Sequence, residues 1–266
     1  MERLVKMLAR QTGRVLPGKF RASIALVLRI SGSTAQSPNA FESFGRGKWL
    51  GGSTGEGLEL LLIRRALREG DPWSGHVAFP GGRADPGETD QETAVRETRE
   101  EIGLDLMSGF NSLCRLDDIP LSISGRPLRD STLSPFVFLL NISEMPRLKL
   151  SEEEVDAAFW VPLNPLMEHG QQIIDPYYVT RSFSRDDASV HPSVEVTDLA
   201  RNISFSSPSA IQRWSRHPPR LWGLSLIAAS SLLEGLGYSR LDSNPAKAYV
   251  RPNWRRHMEQ EVFTQK

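Results

Sequence analysis

The segment from Gly82 to Leu104, GRADPGETDQETAVRETREEIGL, constrains this chain more than any other stretch of it. Its middle reads as a helix beginning near Thr89 or Asp90. Thr89 and Glu92 stand in capping-box order, and Gly103 supplies a C-terminal stop. At about 100° per residue, Ala94, Val95, Thr98 and Ile102 fall on one core-facing stripe. Glu97, Glu100 and Glu101 share an arc of about 100° that borders this stripe rather than opposing it. Like charges at such spacing weaken a helix by roughly a few tenths of a kcal/mol per pair. Partial desolvation raises that cost unless a cation sits among them. A hard divalent ion with oxygen ligands resolves the conflict, and magnesium typically takes few carboxylates plus waters and phosphates. Taken alone, an E-x-x-E-E helix is equally readable as a solvated face on which Arg96 pairs with Glu100.

The spacing around the helix separates these readings. Gly82, Glu88, Arg96-Glu97, Glu100-Glu101 and Gly103-Leu104 stand in a register that resembles the Nudix box, with Thr98 in place of the usual aliphatic residue. The resemblance implies an α/β fold, an α/β/α sandwich with a central mixed sheet, and hydrolysis of a diphosphate linkage with Mg2+, or alternatively Mn2+. It implies Glu97 and Glu101 as primary metal ligands and Glu100 as a further ligand or a partner through water. The carbonyl of Gly81 often completes such a site. Arg96 would hold the loop and the glutamates by charge-assisted hydrogen bonds. Glu88 is structural or serves a second ion. Some members draw a further acid from a later segment, and Glu154 in SEEEVDAAFWVPL is that candidate, with Glu152 and Glu153 beside it.

Upstream, Leu61-Leu-Ile-Arg-Arg-Ala66 and then Gly75-His-Val-Ala-Phe-Pro-Gly-Gly82 are similar to the extra motif of the coenzyme A diphosphatase branch. That similarity implies cleavage of coenzyme A or its thioesters to adenosine 3′,5′-bisphosphate and phosphopantetheine, free or acylated. It makes Arg65, Arg68, Phe79 and Trp73 the substrate-contact candidates; a nucleoside diphosphate derivative such as ADP-ribose, or a nucleoside triphosphate, is the alternative substrate. Two departures bear on this: Ala66 replaces the usual serine, and Gly70 to Trp73 replace an arginine–histidine segment with one extra residue. Arg220-Leu-Trp-Gly-Leu224 is similar to the C-terminal helix of the same branch. His76 reads as a hydrogen-bonded loop histidine.

Elsewhere the sequence organises these motifs. Ala22–Ile30 and Leu58–Ile63 read as buried strands, and Val77–Phe79, Pro135–Leu140 and Ala158–Val161 as further ones. A glycine-rich insertion near 31–57, with seven glycines, separates the first two. Its string Gly51-Gly-Ser-Thr-Gly55 fits the nucleophile-elbow pattern but lacks the strand before and helix after that the pattern requires. Residues 168–219 give no clear pattern, and Leu221–Leu236 reads as a buried helix, too short and too interrupted to span a membrane. The domain is expected over 22–240, after a basic arm or targeting segment at 1–21 and before a C-terminal tail at 241–266. Thirty-two basic residues balance thirty-two acidic ones, so the chain shows no electrostatic footprint for nucleic acid. One cysteine, Cys114, rules out an internal disulfide and fits an intracellular setting: cytoplasm, with mitochondrion or peroxisome left open. A homodimer is equally open.

Overall fold

In a computed structural model the residues described are 6–8, 10–31, 57–69, 71, 73–123, 126–142, 144–172, 175–180, 188–238 and 240–241. The glycine-rich insertion, from 32 to 56, and the tail from 242 onward lie outside them.

The organising strand is β1 (Phe20–Ser31), whose aliphatic run is buried on both sides. Ile24, Leu26 and Leu28 belong to one core, Ala25 and Val27 to another. A strand covered on both faces needs no polar alternation, and this explains the nearly continuous hydrophobic run. β1 lies parallel to β7 (Arg126–Leu140) and antiparallel to β2 (Gly57–Arg65), so the sheet is mixed. The full order is β11 (Arg201–Phe205), β8 (Val155–Pro162), β2, β1, β7, β5 (Phe110–Arg115). Three short strands attach at the sides: β3 (Val77–Ala78) on β2, β4 (Gly81–Arg83) on β1, and β6 (Ile119–Ile123) on β7.

Helix α1 (Asp90–Ile102) covers one face, where Ala94 and Ile102 pack against Ala25, Val27, Phe136 and Phe138. Both capping-box bonds at Thr89 and Glu92 are formed, and Gly103 ends the helix at φ 71°. Thr98 is buried on this stripe, and its hydroxyl donates to the Ala94 carbonyl at 2.7 Å, so the unusual threonine carries no unpaired donor into the core. The opposite face is covered by α4 (Gly223–Gly235), through Leu226, Ala229 and Leu233. Two helical layers thus enclose the sheet, giving the α/β/α sandwich.

The region at 168–219 contains more structure than its sequence pattern shows. It holds the end of α2 (Leu163–Gln172), β9 (Asp175–Thr180), β10 (Ala188–Glu195), β11 and α3 (Pro208–Arg216). β9 and β10 join β12 (Arg220–Trp222) in a second sheet of three strands. The expected helix at 221–236 is corrected by this: Leu221 and Trp222 are strand residues paired with Val194 and Ser193, and the helix begins at Gly223. Among the described residues no helix is long and apolar enough to cross a membrane. The N-terminal arm is tied to the domain, since Leu8 is buried in the core.

A charge cluster locks the start of β1 to α1. Arg21 donates to Asp90 at 2.6 Å and to Asp118 at 2.8 Å, while Arg115 donates to Asp118 at 2.5 Å and lies 2.9 Å from Asp90. Burial opposes ionisation of Asp90 and Asp118, but the arginine hydrogen bonds outweigh it and hold both carboxyls below the usual carboxylate range. Groups so depressed add stability above their unfolded pKa and lose it as pH falls through the folded one. Asp118→Asn is therefore expected to lower the urea midpoint at pH 7, by about 3 kcal/mol in stability, and to flatten the loss seen between pH 5 and pH 3. Urea titrations of both proteins across that range test this.

Candidate functional site

The site forms where the turn between β3 and β4 meets the C-terminal half of α1. The Pro80 carbonyl accepts from Ala25 N at 2.9 Å, pinning the turn to the middle of β1. Gly81 then takes φ 149°, and a Cβ there would lie 2.2 Å from the Ser23 carbonyl oxygen. At Gly82 a Cβ would lie 2.4 Å from the carboxyl carbon of Glu97. Both glycines are thus fixed by close approach, to the neighbouring strand and to a site carboxylate.

The structure draws Glu97 and Glu101 to this turn. Glu101 is 3% exposed, and its Oε2 accepts from Gly81 N at 2.9 Å. Burial pushes its pKa up to about 8; the Gly81 N–H and Arg65 oppose that shift, while Glu97 and Glu154 add to it. Glu97 is also raised, chiefly by burial and further by Glu100 and Glu154, against the pull of Arg96. Arg96 is the fork that holds the cluster. It donates to Glu88 at 2.7 Å, to Glu97 at 3.0 Å, to Glu100 at 2.9 Å and to the Arg83 carbonyl at 2.9 Å. Glu88, with its partners in Arg96, Asp85 N and Thr93, is pulled down to about 2 and acts as part of this scaffold.

Among the described residues no three His, Cys, Asp or Glu side chains gather closely enough to enclose a metal ion. Glu100 is the expected member that stands apart, its side chain 55% exposed on Arg96. Glu97 and Glu101, both beside the glycine turn, are the carboxylates that could hold a metal ion. The pair fits a divalent cation that binds through one or two carboxylates and completes its shell with water and phosphate oxygens. The buried, destabilised charge of Glu101 is the observation that favours a cation here.

The other expected site residues divide. Arg65 ends β2 close enough to Glu101 to favour its ionised form. Glu154 is near enough to Glu97 and Glu101 for its charge to oppose the ionisation of both. Arg68 turns to the 151–154 segment, donating to the Glu153 carbonyl at 2.6 Å and lying 3.6 Å from the Glu154 carboxylate. Trp73 meets the His76 ring edge-on at 6.2 Å, and His76 meets Trp222 at 4.8 Å, so His76 is a packing residue of this loop. Phe79 is 3% exposed and packed in the core. Three participants escape sequence reasoning. Asp71 holds Arg65 at 3.1 Å, Asp156 binds Arg213 of α3 through both carboxylate oxygens, and Ser225 of α4 donates to the Val77 carbonyl at 3.0 Å. Only Asp71 leaves a local trace, as an aspartate two residues before a backbone N–H it can cap.

Gly82→Ala is expected to fold, since the new methyl meets only the carboxyl end of the flexible Glu97 side chain, but to weaken Mn2+ binding by at least about tenfold. Electron paramagnetic resonance of free Mn2+ reads this, and unchanged affinity would remove Glu97 from the metal site.

Comparison with known proteins agrees with this geometry. Residues 52–182 match the NUDIX domain family. An uncharacterized protein of Schizosaccharomyces pombe is 42% identical over 110 residues, 41% of this chain and 33% of its own length. Nudix hydrolase 3 of Caenorhabditis elegans is 30% identical over 178 residues, 65% of either chain. The peroxisomal coenzyme A diphosphatase ndx-8 of the same organism is 32% identical over 137 residues, 50% of this chain and 55% of that one. The chain thus spans between 33% and 65% of the length of these relatives. The box glutamates stand on a capped helix against the Gly81–Gly82 turn, and the segment that carries them lies within the residues that match the NUDIX domain family.

Proposed function

We propose that the chain hydrolyses a diphosphate linkage in the presence of magnesium or manganese, and that its substrate is coenzyme A or an acyl-CoA. The products would be adenosine 3′,5′-bisphosphate and phosphopantetheine, free or acylated. The observation that carries the reaction is the pair Glu97 and Glu101, brought to a glycine turn with Arg65 near Glu101. The substrate reading rests on the motif through Arg65 and Gly75–Gly82, and on the similarity to a relative named as a coenzyme A diphosphatase.

A cation bound here would neutralise phosphate charge and lower the pKa of a coordinated water. Glu97 and Glu101 would hold it, while Arg96 orients Glu97 and Glu100 through one shared nitrogen. Glu154, near both ligands and only loosely paired with Arg68, would accept a proton from the attacking water. Arg65 would bind phosphate oxygens of the substrate. The setting would be intracellular, where coenzyme A is found, and the compartment follows from localisation of the full chain.

The test is a panel of coenzyme A, an acyl-CoA, ADP-ribose and a nucleoside triphosphate, incubated with magnesium, with products identified by mass. Release of adenosine 3′,5′-bisphosphate from coenzyme A is expected. Preference for ADP-ribose or the triphosphate would reject the substrate. Glu97→Gln should lower kcat by at least about a hundredfold, and survival of activity in that variant would sink the catalytic assignment.

A further inference from the structure

The loop from Ala66 to His76 is built around one carboxylate. Asp71 Oδ1 accepts from Trp73 N at 2.9 Å, and Asp71 Oδ2 accepts from Arg65 Nη2 at 3.1 Å. Around it the loop closes on itself. Arg65 N donates to the His76 carbonyl at 3.0 Å, Asp71 N to the Arg68 carbonyl at 3.3 Å, and Ser74 Oγ bridges Arg68 N and O. The loop is also fastened to the turn that carries Glu154, through Ala66 N to the Glu154 carbonyl at 2.9 Å. These bonds tie residues 66–69, 71 and 73–76 to one another and to the 151–154 turn.

Arg65 itself is incompletely satisfied. Its Nε is buried and has no hydrogen-bond partner among the described residues, and its charge is near enough to Glu101 to favour the ionised form of that carboxylate. A buried N–H without an acceptor is uncommon in native structures and calls for an explanation. Here the carboxylate of Asp71 holds one terminal nitrogen of the guanidinium, Nη2, at 3.1 Å. The fork geometry of arginine then leaves its remaining donors pointing in a fixed direction.

We propose that Asp71 is a positioning residue for substrate binding. It clamps Arg65 so that a guanidinium donor is held in place for an oxygen of the bound diphosphate, and the same carboxylate fixes Trp73 beside it. This rests on the cleft being a diphosphate site. It also gives a role to the segment in which this sequence departs most from the motif it resembles. The clamp acts on binding, because Arg65 contacts the ligand in the ground state as well as during reaction, so its loss should raise KM with little change in kcat.

A double-mutant cycle tests the claim. Asp71→Asn keeps the size of the side chain but leaves one oxygen for two donors, so either the Arg65 or the Trp73 bond is lost; Asp71→Ala loses both. With the diphosphate that the wild type cleaves, Asp71→Ala is expected to raise KM by about tenfold with kcat within about twofold, the scale of one charged hydrogen bond. Asp71→Asn should fall between Asp71→Ala and the wild type. In an Arg65→Lys background the Asp71 substitution should change KM less than about twofold, since residues acting through one another are not additive. Calorimetric affinity for imidodiphosphate with magnesium should follow the same pattern. Equal effects of Asp71→Ala in both backgrounds, or an unchanged KM and affinity, would overturn the proposal; so would losses confined to kcat and thermal midpoint. Failure of the wild type to hydrolyse any diphosphate would reject the functional reading alone, because the imidodiphosphate affinities decide the role of Asp71 without turnover.

Discussion

The structure depends on a carboxylate held where its charge is disfavoured. Glu101 is buried between α1 and the Gly81 turn, with the Gly81 N–H as its hydrogen-bond donor. A lone buried carboxylate costs far more than a surface one, and a protein keeps it only when the surroundings leave no alternative position. Those surroundings are over-determined here. The turn is pinned to β1 by Ala25, the helix is capped at both ends, and Arg96 ties together Glu88, Glu97, Glu100 and the Arg83 carbonyl. None of these contacts is individually large. Together they fix two carboxylates near a backbone turn that has no room for a side chain.

The sheet supplies the rigidity this requires. Because β1 is buried on both faces, it anchors the turn through backbone bonds on one edge while its side chains hold α1 on one face and α4 on the other. The Arg21–Asp90–Asp118–Arg115 cluster closes the N-terminal end of α1 onto the same strand. At the C-terminal end, Ser151 N donates to the Glu101 carbonyl and Lys149 N to the Ile102 carbonyl. The last turn of α1 is therefore bonded directly to the segment that leads to Glu154. The helix carries the site, and both of its ends are attached to the elements that bring the remaining groups.

Local chemistry made much of this legible. The cap at Thr89 and the stop at Gly103 were readable because they are set by neighbours within a few residues. The core stripe through Ala94, Thr98 and Ile102 follows from helical periodicity, and β1 and β2 from continuous aliphatic runs. By contrast, β9, β10 and β12 were not legible, since their short polar strands lack alternation and gain their order from one another. Trp222 illustrates the difficulty: it adjoins an apolar helical run in sequence, yet it is held as strand by pairing with Ser193, far back along the chain. Phe79 shows a related dependence, because its place next to the glycine turn gives no hint that it is buried in the core.

The sequence by itself determined the helix, its caps, its core face and the register of its glutamates, because each depends on residues one or two turns apart. Only the tertiary structure decided which glutamates share the site. Glu97, Glu100 and Glu101 lie on one arc of the helix; the turn from another part of the chain approaches Glu97 and Glu101, while Glu100 is 55% exposed and shares Arg96 with Glu97. The partners of Arg65 and Arg68 were decided the same way, by a loop folding back on itself and onto the 151–154 turn. Periodicity fixes the direction in which a side chain leaves its helix. What it meets there depends on contacts between segments distant in sequence, and no local pattern encodes those.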